Sequence, residues 1–410
     1  MNDMTTGRTR SRQLRRSIND VARVIGVINA GSSSLKFAFY EGGRPIISGH
    51  VDGLGSRPAA KASGQEGEAL EPPNLGTMPP ATPSEVLPML LPWAKETLGG
   101  RRLAALGHRV VQGGMRHTKH ERVTPQLLAE LETLIPLAPL HQPHNLAAIR
   151  TALALNPALP QVACFDTAFH RSVPEVAQVF ALPQKWHDEG VRRYGFHGLS
   201  CEYVASVLPE QAPEIADGRV VVAHLGNGAS LCALKARNSI ASTMGFTVLD
   251  GLPMGTRCGD LDPGVILHLL QHKGMSVDAV EDLLYRQSGM LGLSGTSSDF
   301  RDLLSCKDQR AQFAIEVFCY QTIRHIGSLA AALGGLDGIV FTAGVGENSA
   351  PIRAAICRGC LWIGLELDEA ANRRHGPRIS IVSSRVAAYV IKSDENAIIA
   401  RHTQALCDVG

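Results

Sequence analysis

Short apolar runs alternate with glycine turns from Val24 onward. Val24–Ile28 is apolar, Ala30-Gly31-Ser32-Ser33 breaks the run, Leu35–Tyr40 is the next, Glu41-Gly42-Gly43 breaks again, and Pro45–His50 follows. Runs of this length between turn residues predict three strands in an antiparallel meander. Residues 53–84, rich in proline, alanine and glycine, predict irregular surface. Ser84–Leu98 and Thr124–Ile135 read as helices, the second with Pro125 at its first helical position. Ala104–Val111 predicts a strand, His144–Leu155 a helix, and Gln161–Phe165 a strand that ends on Asp166.

The meander returns in the second half. Arg219–Leu225, Ser230–Lys235 and Ser239–Met244 are apolar runs, turned by Gly226-Asn227-Gly228 and Ala236-Arg237-Asn238. Asn-Gly between apolar runs is a strong hairpin signal. Helical patterns follow at Asp262–Gln271, Val277–Gln287 and Lys307–Leu333, then a strand at Gly338–Thr342 and a helix at Ala350–Cys360. Each half thus has three hairpinned strands and then helices alternating with strands, which predicts a duplicated α/β fold of two lobes with a small-molecule site in the cleft between them.

Composition narrows the function classes. Forty Lys+Arg against 38 Asp+Glu leave a net charge of +2, so no global field draws the chain to nucleic acid or an anionic membrane. The most apolar stretch, Ile326–Gly346, is cut by Asp337 and several glycines, which argues against a membrane span. Nine scattered cysteines read as reduced cytoplasmic thiols, and Cys357-Arg-Gly-Cys360 lacks the second pair that a zinc site needs. Residues 1–23, arginine-rich and without an apolar core, read as a disordered basic tail.

Three glycine-rich turns carry the chemistry: Asn29–Lys36, Leu225–Ser230 and Thr342–Asn348. A turn without side chains lets backbone N–H groups reach phosphate oxygens, and two of these turns fall at matching places in the repeat. A nucleotide clamped from both lobes explains them better than three unrelated turns. Arg109 and Arg257 each stand in a glycine-bounded loop, and a planar guanidinium there suits a carboxylate or a phosphate. His197 lies between Phe196 and Gly198, and His141 sits in Leu140-His-Gln-Pro143. Asp166 and Glu395 are carboxylates that could hold Mg²⁺.

Together these segments resemble the acetate kinase family of the actin/sugar kinase/Hsp70 superfamily. The stretches are NAGSSSLK from Asn29, GHRVVQGG from Gly107, FDTAFH from Phe165, RYGFHG from Arg193, HLGNGAS from His224, MGFTVLDGLPMGTRCGDLD from Met244, SGMLGLSGTSSDFRD from Ser288 and FTAGVGEN from Phe341. The resemblance runs from about Val24 to Arg401. It implies a duplicated ribonuclease H-like (actin-like ATPase) fold, with an N-terminal lobe at 24–166, a helix at 395–410 packing back on it, and a nucleotide-binding lobe at 167–394. It implies transfer of the ATP γ-phosphate to acetate, giving acetyl phosphate and ADP, with Mg²⁺ as cofactor and Mn²⁺ as a substitute. By the same resemblance Asn29 and Glu395 serve the metal. Ser34, Lys36, His224, Leu225, Gly226, Asn227, Gly228, Asp299, Phe300, Arg301, Gly344, Val345, Gly346, Glu347 and Asn348 serve the nucleotide. Arg109, Val111, Leu140, Phe196 and Val248 bind the acyl substrate, and Asp166, His197 and Arg257 act on the transferring group, with His141 lining the site. A homodimer in the cytoplasm is implied, with neither nucleic acid nor membrane as partner.

The sequence departs from the family pattern at Gln112, Cys201, Val248, Asp250, Cys258 and Asn396. Val248 replaces a proline beside the acyl group, so a propionate or other short-chain acyl kinase is the alternative. An ATP-driven conformational protein of the Hsp70 or actin kind is a third reading, opposed by the paired arginines.

Overall fold

The computed structural model describes residues 22–31, 33–76 and 79–407. The described residues divide into two compact units: those of 22–111, 119–164 and 396–407 form the first, those of 112–118 and 165–395 the second. The basic-tail reading of residues 1–21 lies outside the described residues, and Arg23 already belongs to the first strand.

The sheet of the first unit runs β5-β4-β3-β2-β1-β6-β8-β7. Its strands are β1 (Arg23–Ala30), β2 (Leu35–Glu41), β3 (Arg44–Asp52), β4 (Ala59–Gly64), β5 (Ala69–Leu70), β6 (Arg102–Val110), β7 (Glu121–Arg122) and β8 (Gln161–Phe165). β1, β2 and β3 pair antiparallel in the expected meander, and β6 joins β1 in parallel. Residues 53–84 are not all irregular: β4 pairs with β3, and β5 with β4. Alanine, serine and glycine carry little strand preference, so these strands exist because β3 offers an open edge. The core beneath the sheet gathers Phe37, Phe39, Leu87 and Leu90, all fully buried, each worth about 1.5–3 kcal/mol on burial. The C-terminal helix Glu395–Cys407 lies against β6, where a side chain on Gly107 would meet Thr403 Oγ1 at 2.2 Å.

The sheet of the second unit runs β11-β10-β9-β12-β13, from β9 (Arg219–Leu225), β10 (Ala229–Lys235), β11 (Asn238–Ser242), β12 (Gly338–Thr342) and β13 (Ala387–Val390). β9, β10 and β11 form the second antiparallel meander, while β12 pairs in parallel with both β9 and β13. The two sheets therefore share one plan, a meander whose first strand carries a parallel neighbour. This is the α/β duplication that the repeat predicts. The long helix is Gln309–Leu333, capped by Asp308, whose side chain accepts from Arg310 N at 2.8 Å. A helix at Gly198–Gln211 follows His197 directly. Among the described residues no helix is long and apolar enough to cross a membrane.

Candidate active site

The turn between β9 and β10 organises the second unit's site. Gly226 N donates to Gly228 O at 3.1 Å, and Asn227 O accepts from Gly255 N at 2.9 Å. A Cβ on Gly255 would stand 2.0 Å from Asn227 Oδ1, so the bare glycine leaves room for the Asn227 side chain where the two loops meet. Arg257, two residues on, is buried, and its Nη1 donates to Val248 O at 2.8 Å. A Cβ on Gly228 would lie 2.7 Å from Arg257 Nη2 and 3.3 Å from His197 Nε2. The guanidinium and the imidazole thus converge above one bare glycine.

His197 has a left-handed backbone (φ 55°) and stands at the N-cap of the helix Gly198–Gln211. The next residue must be glycine, because a Cβ there would lie 1.9 Å from Asp166 O. His197 Nδ1 and Ser230 Oγ are 2.9 Å apart, and the ring stacks on His224 at 4.1 Å between centroids. His224 Nδ1 contacts Ser200 Oγ at 2.8 Å, and Ser200 Oγ contacts Ser393 Oγ at 2.8 Å. Glu347 Oε1 accepts from Ser393 N at 3.0 Å and from Ala343 N at 2.8 Å. One hydrogen-bonded chain therefore ties His224 to the segment after β12. Asp166, directly after β8, is buried.

A cavity of about 570 Å³ opens beside the turn. Gly226 and Asn227, Asp299, Phe300 and Arg301, and Gly344, Val345 and Asn348 line it from three separate segments. Its size falls within the range of small-molecule pockets. Phe300 packs edge-on against Phe318 at 4.7 Å. Asp299 caps its short helix and pairs with Arg301, whose hydrogen bond holds the Asp299 carboxyl below its usual range. The Thr342–Asn348 segment is not an open turn. Ala343–Asn348 is a short helix entered through Ala343 at φ 65°, which the Glu347 carboxylate braces. His224, Leu225, Gly228, Gly346 and Glu347 do not line this cavity. Leu225 and Gly346 are buried, and the carboxylate of Glu347 is engaged with backbone N–H groups.

In the first unit, Asn29 is buried and stands across β1–β2 from Lys36, which is exposed. Ser34 closes the turn by accepting from Gly31 N through its carbonyl at 2.8 Å. Arg109 Nη1 reaches Asn29 Oδ1 at 3.5 Å, the outer limit of a hydrogen bond. Val111 is buried, and its N–H donates to Asn145 Oδ1 at 3.0 Å. Leu140 is half-buried, and His141 begins the helix Gln142–Leu155. The other two acyl-site candidates, Phe196 and Val248, are buried in the second unit. Glu395 is half-buried at the start of the C-terminal helix.

Four of the departures, Gln112, Cys201, Cys258 and Asp250, have plain structural surroundings. Gln112 Oε1 accepts from Gly114 N at 2.9 Å, and Cys201 is buried in the core with Cys232. Burial pushes the Cys258 thiol up, and burial pushes Cys360 up to about 12. Asp250 pairs with Arg193 at 2.6 Å, although burial raises its carboxyl. Sequence reasoning named no role for Ser200, Ser230 or Ser393. Their signal was present, since Ser200 closely follows the histidine of RYGFHG and Ser230 ends HLGNGAS.

Comparison with known proteins fits this geometry. The acetokinase family model matches residues 24–401. An acetate kinase of Rhodopseudomonas palustris (strain ATCC BAA-98 / CGA009) is 51% identical over 397 residues, covering 94% of this chain and 99% of that protein. A propionate kinase from Francisella tularensis subsp. tularensis SCHU S4 has a similar structure, with TM-score 0.86 and 33% identity over 94% of this chain and 100% of that one. The acetate kinase of Porphyromonas gingivalis has TM-score 0.81 and 35% identity, again over 94% of this chain and 100% of the other. The chain belongs to the acetokinase family.

Proposed function

We propose that this chain catalyses the reversible transfer of the ATP γ-phosphoryl group to acetate, giving acetyl phosphate and ADP. As a member of its family it is a phosphotransferase with a carboxyl group as acceptor. The observation that carries the reading is the convergence of Arg257 and His197 above Gly228, on the turn whose Gly226 and Asn227 line the cavity.

Acetate is already ionised at neutral pH, so no strong base is required. Catalysis then rests on position and on neutralising charge as a carboxylate oxygen attacks in line. Arg257 and His197 offset charge on the moving phosphoryl group. Arg109 grips the carboxylate, Val111, Leu140, Phe196 and Val248 wall the methyl group, and Asp166 orients the polar groups around the reacting atoms. Gly226 and Asn227, Asp299–Arg301, and Gly344, Val345 and Asn348, which line the cavity, hold ATP, with Ser34 and Lys36 toward its phosphates. The amide oxygen of Asn29 and the carboxylate of Glu395 are hard donors that suit Mg²⁺ or Mn²⁺, which would supply charge neutralisation to the polyphosphate.

Hydroxylamine trapping tests the assignment. The expected result is acyl hydroxamate that depends on both ATP and acetate. ATP turnover without hydroxamate would contradict it and favour an Hsp70- or actin-like protein. The same assay ranks acceptors: acetate should exceed propionate in kcat/KM by about tenfold or more, since one methylene in a fitted pocket is worth about that. Equal values would instead favour a short-chain acyl kinase.

We also propose a homodimer in the cytoplasm. The helix Pro263–Gln271 reads PGVILHLLQ, yet none of its residues is buried in the isolated chain. Leu267 is 53% exposed, an apolar face that a second copy would cover. Leu267→Asp is expected to halve the mass seen in sedimentation equilibrium at micromolar concentration, and an unchanged mass would count against this face. All nine cysteines are free thiols, as a reducing compartment requires.

A further inference from the structure

We propose that His170 is a positioning residue that keeps His197 aimed at Gly228 by gripping the carbonyl of the residue before it. The inference rests on the reading that His197 faces the transferring phosphoryl group.

His170 lies four residues beyond Asp166 and is buried. Its Nε2 stands 2.9 Å from Phe196 O. A carbonyl only accepts, so Nε2 bears the hydrogen. Its Nδ1 stands 2.9 Å from Ser239 Oγ on β11, a fully buried hydroxyl, which fixes the ring from its other side. Gly195 packs directly against the imidazole: its φ is +75°, and a Cβ there would fall 2.5 Å from His170 Cγ. His170 therefore clamps both residues that lead into His197.

That clamp matters because His197 is a non-glycine residue held in the left-handed region. Such a backbone persists only where its surroundings over-determine it. Ser230 holds the ring, and Cys201 N donates to His197 O at 3.0 Å. The Phe196 carbonyl, however, is gripped by His170. Without that bond a buried acceptor loses its donor and the turn can relax, carrying the imidazole away from Gly228. A displacement of about 1 Å at a reacting group can cost about 100-fold in rate.

His170→Asn and His170→Gln separate positioning from bulk. The longer amide can place its nitrogen where Nε2 stood and donate to Phe196 O, whereas the shorter one cannot. His170→Asn is expected to lower kcat by about 30- to 100-fold, with the KM for ATP within about twofold of wild type. His170→Gln is expected to recover most of that loss at an equal melting temperature. Equal activities for the two variants, or a loss carried by the KM for ATP, would overturn the inference. If His170→Asn does not fold, Gly195→Ala, which drives a methyl group into the ring, replaces it. It should lower kcat at least tenfold at unchanged KM for ATP, and an unchanged kcat would overturn the inference. His197→Ala run alongside separates the two levels. If it leaves acyl phosphate formation intact, the reading of His197 fails. If it abolishes formation while His170→Asn does not lower kcat, only the positioning inference fails.

Discussion

Arg257→Ala is expected to lower kcat about 1,000-fold while leaving the fold intact. An arginine that neutralises a transferring phosphoryl group contributes about this much, equivalent to about 4 kcal/mol of transition-state stabilisation. The structure explains why the loss should be large. Nη1 is tied to Val248 O at 2.8 Å, so the guanidinium is held before substrate arrives, and Nη2 is thereby directed over Gly228. Preorganisation of this kind adds no reorganisation cost during the reaction. Arg257→Lys should also be poor, because one ammonium cannot reach both the carbonyl and the space above the glycine. Steady-state kinetics with a melting curve checks both variants. A loss below tenfold for Arg257→Ala would remove this residue from the chemistry.

Gly228→Ala should have the second largest effect, about 100-fold in kcat. The added methyl would stand 2.7 Å from Arg257 Nη2 and 3.3 Å from His197 Nε2, so both groups must retreat from the point where they converge. Displacements of this order cost about two powers of ten when the groups must meet a transition state. Gly228 is absent from the lining of the cavity, so the KM for ATP should change by less than about threefold. A large rise in that KM with little change in kcat would place Gly228 in nucleotide binding alone.

Short apolar runs between glycine-bearing turns made both meanders legible in the sequence, because run length and turn chemistry are local signals. β4 was not legible. Ala59–Gly64 has weak strand preference and pairs because β3 leaves an edge open, a fact of tertiary structure. The helix Ala343–Asn348 was hidden for a similar reason: a six-residue run with two glycines has poor helix propensity, and the Glu347 carboxylate compensates by accepting from Ala343 N. At the candidate site, residue types were readable but partnerships were not. Gly228 was readable as part of a nucleotide turn, and Gly198 and Gly255 as the loop glycines beside His197 and Arg257. Only the folded chain shows what each avoids: the Asp166 carbonyl, the Arg257–His197 pair and the Asn227 side chain. The Ser393–Ser200–His224 chain joins residues 193 positions apart, beyond any spacing rule.

Arg257 is expected to bind the transition state much more strongly than the ground state. Titration calorimetry of ADP alone, and of ADP with acetate and a trigonal metal fluoride standing in for the moving phosphoryl group, measures this directly in wild type and in Arg257→Ala. ADP should bind both proteins about equally, and the extra affinity for the mimic should fall by at least about 100-fold in the variant. Equal tightening by the mimic in both proteins would contradict it.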